Sequence, residues 1–223
     1  MKRVLVLGAT GRTGSFVIKE LSKYKSIQLI AGLRSQKDKE RLPKINAAIE
    51  TVVIDIADVC SLRKALTDSD IVVQAIRLRG DISENALIQL DQRIHQAFNP
   101  SRKTHLVTVG GAGALKLEAN QRFWENEYFP RQTLPRGIAH ARLRDYLEKS
   151  FFNHTWTYLI PPPVYVAEGA RTGSYNRYSS AQKEDFFLSK SISYADFALA
   201  IGNAIMEEWQ GVYLIAEKEC YFI

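Results

Sequence analysis

The sequence predicts an α/β fold built on a doubly wound, mainly parallel sheet flanked by helices. Three observations carry that reading: short β-branched runs alternate with helix-length stretches, a glycine-rich turn follows the first run directly, and 223 residues with 46% hydrophobic content suit one core. The runs at 4–7, 27–30, 51–54, 71–73 and 106–109 are short, mostly apolar and β-branched, as strands buried on both faces are. Between them, helix candidates at 13–24, 61–65 and 84–98 supply the crossovers that parallel strands need.

After Val109 the rhythm changes. Glycines open a polar, aromatic excursion over 111–136, and the segment 131–149 follows with Leu134, Ile138, Leu143 and Leu147 near helical spacing, an expected amphipathic helix. A strand at 155–160 is stopped by Pro161, Pro162 and Pro163, since proline lacks a ladder donor and restricts the residue before it. The order of 162–193 is not legible. A helix over 194–209 and a strand near 212–215 close the chain. The expectation is a single domain over 1–223 with a small substrate-side region toward the C-terminus.

Composition narrows the function classes. Thirty basic against 24 acidic side chains give a net charge of +6, dispersed in mixed-sign segments, which favours small anions over nucleic acid. The densest basic stretch, 131–149, is broken by leucines and does not form a nucleic-acid face. Cys60 and Cys220 stand far apart with no clustered histidines, so neither a disulfide framework nor a metal site is expected, and a reducing cytoplasm fits. The apolar run after Met1-Lys2-Arg3 ends at once in glycine, unlike a signal peptide, and no segment reaches membrane-spanning length. Both a monomer and a homodimer fit the sequence.

The most informative segment is Gly8-Ala-Thr-Gly11-Arg-Thr-Gly14, spaced GxxGxxG between the first strand and first helix. In that context Gly8 permits the tight turn, Gly11 lets backbone N–H groups approach a pyrophosphate, and Gly14 lets the helix pack closely on the strand. The helix N-terminus adds partial positive charge. This is a Rossmann-type dinucleotide turn. Where an NAD-specific fold would place an acidic residue at the second strand, this chain has Leu33-Arg34-Ser35. A guanidinium can grip a 2′-phosphate, and Arg12 can reach the same group, so NADP(H) is expected over NAD(H); the competing reading of Arg34 is a solvated cation at a strand end. After the third strand, Asp55 can accept from an adenine amino group with Ile56 on the ring face, while Asp58 suits a helix cap. Ala75, Ile76 and Arg77 end the fourth strand at the carboxyl edge where ligands bind, and Arg77 either touches a phosphate or is simply exposed.

The residues 8–14, Val109-Gly-Gly-Ala-Gly113 and Arg171-Thr-Gly-Ser-Tyr175 resemble the atypical short-chain dehydrogenase/reductases of the NADH-flavin reductase group, relatives of NmrA-like proteins and of flavin or biliverdin reductase B. The resemblance covers nearly the whole chain. It implies that Gly8, Thr10, Gly11, Arg12, Thr13, Gly14, Arg34, Asp55, Ile56, Ala75, Ile76, Val109 and Gly110 line the cofactor groove, with Pro161 near the nicotinamide. One departure matters: the Tyr-x-x-x-Lys dyad of mainstream members is absent, and Tyr146 and Lys149 are three apart. His140, four residues before Arg144, is the candidate proton donor or ring contact, against an ordinary surface or half-buried histidine. Loss of the dyad argues against alcohol oxidation and suits hydride delivery to a flavin, quinone or similar planar acceptor, a flavin being either substrate or prosthetic group. Phe123, Trp124, Tyr128 and Phe129 either stack on that acceptor or form the core of their own excursion. The alternative function is a non-catalytic NmrA-like NADP(H) sensor. A nucleotide-sugar epimerase is disfavoured, because the region after Pro163 leaves little room for its substrate domain.

Overall fold

The computed structural model describes residues 1–118 and 121–218. Apolar alternation on the first strand sets the layers. In β1 (Lys2–Leu7), Val4 and Val6 face α1 (Arg12–Leu21) and α5 (Tyr194–Met206), while Leu5 and Leu7 face α2 (Val59–Leu66) and α3 (Ala86–Ala97). The remaining strands of the main sheet are β2 (Ile27–Leu33), β3 (Ile49–Val53), β4 (Ile71–Gln74), β5 (His105–Val109), β6 (Trp156–Ile160), β8 (Asn176–Ser179) and β10 (Gly211–Ala216). Their order is β3-β2-β1-β4-β5-β6-β10-β8. Every pairing is parallel except β8 on β10, at the edge. The expected Rossmann-type α/β sheet is therefore present.

Chain order reverses across β1, whose neighbours are β2 and β4, in register Leu5↔Ile30 and Leu5↔Val72. That reversal opens a crevice above the carboxyl ends of the strands.

Two expectations need correction. The helix α4 (Leu134–Lys149) exists but does not bury one apolar stripe: Gly137, Ala139, Ala141 and Leu143 are buried at two-residue steps, and the fully buried Arg144 joins them. Small residues replace a leucine face because α4 is enclosed by neighbours on more than one side. The unordered stretch after the prolines also holds a second small sheet, β7 (Val164–Val166) paired in parallel with β9 (Ser191–Ser193). Three-residue strands of this kind leave too short a pattern to read from sequence. Among the described residues no helix is long and apolar enough to cross a membrane, and no group of three or more His, Cys, Asp or Glu side chains gathers as a metal site. Cys60 is exposed, and Cys220 lies outside the described residues.

Candidate functional site

The crevice at the switch point is a cleft of about 1170 Å³. Its floor is the glycine turn. Gly8 has φ +80°, the left-handed region, and a Cβ there would meet the Ala75 carbonyl at 2.8 Å, so the turn packs directly against the end of β4. Gly11 N–H donates to the Gly8 carbonyl at 2.9 Å, closing the turn. A Cβ on Gly14 would lie 2.0 Å from the same carbonyl, so α1 starts at backbone contact with the strand end. Gly11 caps α1 with no side-chain bond, which leaves first-turn N–H groups without intrahelical partners at the cleft floor. Unsatisfied donors, the helix dipole and a backbone that excludes side chains together make a pyrophosphate cradle. The residues fit a dinucleotide.

Of the residues the sequence singled out, Gly8, Thr10, Gly11, Arg12, Thr13, Arg34, Asp55, Ile56, Ala75, Ile76 and Arg77 line this cleft. Gly14 is buried beneath it. Arg34, exposed just past β2, has no ion-pair partner among the described residues. The next turn adds two residues the sequence reading missed, Arg41 and Asp38, paired at 2.8 Å. The Arg41 guanidinium and the Ser35 hydroxyl hold the Asp38 carboxyl below its usual range, and its oxygens also accept from the Ser35 N–H. Asp38 is thus already engaged, while Arg34 is not. Asp55 accepts from the Ala57 N–H at 2.9 Å, a local turn that fixes the carboxylate beside Ile56. Asp58 caps α2 by accepting from the Cys60 and Ser61 N–H groups.

At the other end of the cleft, Arg77, Leu78 and Arg79 leave β4 and meet Arg136 from the first turn of α4. Tyr194 also lines the cleft; its ring lies 3.8 Å from that of Tyr165, whose hydroxyl is 3.3 Å from the Thr13 hydroxyl. Arg136 and Tyr194 escaped sequence reading. Arg136 carried one signal, since a cation in a helix's first turn opposes the dipole and needs an explanation.

The second glycine segment behaves differently. Val109, Gly110 and Pro161 do not line the cleft. Gly110 is buried, its N–H donates to the Leu159 carbonyl at 2.7 Å, and a Cβ on it would meet the Tyr158 ring at 2.9 Å. A Cβ on Gly111 would strike the His140 ring at 2.6 Å, and one on Gly113 the Gly137 Cα at 2.5 Å. His140 itself is outside the cleft lining, with Nδ1 2.9 Å from the Tyr158 hydroxyl. Burial first, and Arg136 second, push the imidazole down to about 4, so it is neutral at pH 7. Burial pushes the Tyr158 phenol up, and its hydroxyl stays protonated. Three of the four aromatics are the core of their excursion, Phe123 buried edge-on to Phe129 at 5.2 Å and Phe129 and Trp124 pressing on Gly137, while Tyr128 points to solvent. Acceptor stacking by these residues is not supported, because none of the four lines the cleft and Phe129 and Trp124 turn onto Gly137 of α4.

Arg144 and the late RTG motif hold the framework. Arg144 makes two 2.7 Å bonds to the buried Glu184 and one to the Ala114 carbonyl, tying α4 to both excursions. Arg171 reaches Glu20 of α1, while the Thr172 and Gly173 N–H groups donate to Asp196 of α5. The motif straps the two helices under the cradle.

A parallel sheet with a phosphate-cradling turn at its switch point defines a dinucleotide-binding protein. The chain belongs to the NAD(P)H-binding family, whose model matches residues 8–208. The uncharacterized protein YwnB of Bacillus subtilis (strain 168) is 25% identical over 203 residues, 89% of this chain and 90% of YwnB. Among solved structures, a candidate NADH-flavin reductase from Streptococcus pneumoniae TIGR4 superposes with TM-score 0.81 at 22% identity, covering 98% of this chain and all of that one (100%). A candidate epimerase from Bacteroides thetaiotaomicron gives 0.82 at 21% identity over 99% of both chains. ChuY, an anaerobillin reductase from Escherichia coli O157:H7, gives 0.68 at 16% identity over 100% of each. These structural likenesses concern the fold.

Proposed function

We propose that this protein is an NADPH-dependent reductase that transfers hydride to a flavin, quinone or similar planar acceptor. The observation that carries the reading is Arg34: a guanidinium just past β2 with no ion-pair partner among the described residues, in the same cleft as the pyrophosphate cradle, beside an Asp38 already held by Arg41 and Ser35. A 2′-phosphate gives Arg34 the partner it lacks, whereas a 2′-hydroxyl does not. A nicotinamide held in this cleft supplies the hydride. The protein's part is then to bind and orient: α1's first-turn N–H groups hold phosphate, Asp55 and Ile56 receive the adenine, and Tyr194 closes the side of the cleft beside Thr13. No histidine, cysteine or lysine stands among the described cleft-lining residues, and the chain has no Tyr-x-x-x-Lys. This suits an acceptor that takes its proton from solvent better than an alcohol–ketone pair.

The test is calorimetric titration with NADPH and NADH, followed by loss of NADPH absorbance on adding FMN, riboflavin or a quinone. Preferential NADPH binding with acceptor-dependent oxidation is expected. Tight binding with no oxidation across the panel would replace the reductase by a dinucleotide-responsive regulator. No binding would overturn both.

A further inference from the structure

Among the described residues, six arginines but only two aspartates line the cleft. Arg41 is neutralised by Asp38, and Arg12 and Arg34 lie on the side of the sheet that a dinucleotide's phosphates use. This leaves Arg77, Arg79 and Arg136 at the β4–α4 end. In the sheet order, β4 is two strands from β2, so Arg77 leaves the sheet about 10 Å to the side of Arg34.

None of these three has an ion-pair partner among the described residues. Arg77 and Arg79 come from the loop after β4, and Arg136 comes from α4 opposite. Arg136 is half-buried and stands in a first turn that holds no acidic residue, where the helix dipole opposes a cation. Burial first, and the nearby Arg77 second, lower its pKa. Like charges converging at a half-buried position with no counterion among the described residues are costly unless an anion joins them. Elsewhere the chain does neutralise such groups: the buried Arg144 has Glu184, and Arg142, six residues along the same helix from Arg136, has Glu84.

We infer that the acceptor carries an anionic arm, a phosphate or carboxylate, which binds between Arg77 and Arg136. This rests on the reading of the cleft as a site for dinucleotide and acceptor together, and it deepens that reading by naming the acceptor's charge. A pair of neighbouring guanidiniums lining one cleft can grip two oxygens of one anion, which leaves the planar part beside Ile76 and Leu78 of the same lining.

FMN and riboflavin differ only in a phosphate and are the probes. Their fluorescence quenching is titrated with the NADP⁺-loaded protein, wild type and Arg136→Gln, with Arg77→Gln as a second variant on an exposed residue. Wild type is expected to bind FMN about tenfold more tightly than riboflavin. In either variant that ratio should fall toward one, with NADPH affinity measured in parallel moving less than about threefold. Equal affinity for the two flavins in wild type, binding of neither, or equal weakening of both in the variants would overturn the inference. A loss of NADPH affinity of about tenfold or more would overturn it too, by assigning the arginines to the dinucleotide. An FMN preference that persists with no NADPH oxidation would refute the reductase and leave the anion site standing.

Discussion

Two glycine-rich segments follow parallel strands in this chain, and their surroundings give them opposite uses. After β1, a Cβ on Gly8 or Gly14 would strike backbone, yet the turn's upper side is open and lines the cleft. After β5, the corresponding space is filled: Tyr158 against Gly110, His140 against Gly111 and Gly137 against Gly113. The first set lets the turn close on β4 and α1 beneath an open cleft, and the second lets β6 and α4 close over the end of β5. Glycine spacing records only that something comes close; the element across the gap decides what it is.

The sharpest way to break that contrast is to add one methyl group to each segment. Gly14→Ala puts a carbon at 2.0 Å from the Gly8 carbonyl, so the turn and its donors must shift, and NADPH binding is expected to weaken by about 100-fold or more. Gly113→Ala puts one at 2.5 Å from Gly137 Cα and is expected to cost about 2 kcal/mol of stability. Its folded fraction should bind NADPH within about threefold of wild type. Calorimetry beside urea unfolding separates the two. If Gly113→Ala also lost the cofactor, the second segment would join the site.

A smaller effect sharpens the ligand side. Arg34→Asp removes the proposed phosphate grip and adds repulsion, so NADPH binding should fall about 30-fold while NADH moves less than about threefold. Equal losses with both cofactors would remove Arg34 from the 2′-phosphate.

The glycine-turn end of the cleft was legible because its determinants are local. A strand, a turn and a helix within the twenty residues 2–21 specify the cradle, and Arg34 follows from its position just past the next strand. Arg41 and Asp38 were missed although only a few residues further on, because they sit in a 3-10 turn that the periodic pattern does not mark. The β4–α4 end was not legible, since Arg136 and Tyr194 come from helices far along the chain and join Arg77 and Thr13 in the cleft lining only in the fold. The same holds for the RTG strap: its meaning depends on Glu20 and Asp196, neither of which the motif mentions. Segments after Pro163 lacked a readable pattern because their strands are three or four residues long.

The smallest predicted effect concerns His140 and Tyr158, the pair enclosed by the second glycine segment. Tyr158 is fully buried, its hydroxyl shared between His140 Nδ1 at 2.9 Å and the His140 carbonyl at 3.2 Å. Tyr158→Phe keeps the ring that covers Gly110 and removes only the hydroxyl, so it is expected to cost about 1 kcal/mol in urea unfolding. The measurement belongs at about pH 7.5, above the window in which His140 titrates. His140 has a folded value near 4, against 6.5 as its ordinary value, so between those values the unfolded chain binds the extra proton. Stability is fully present above the upper value and is lost as pH falls toward the lower one. Turnover with a flavin decides what the pair is for. If it only positions α4 against β6, kcat and KM stay within about twofold of wild type once the fold is intact. A fall in kcat of about tenfold or more with KM unchanged would instead tie His140 to the reacting centre and reconnect the second glycine segment to the cleft.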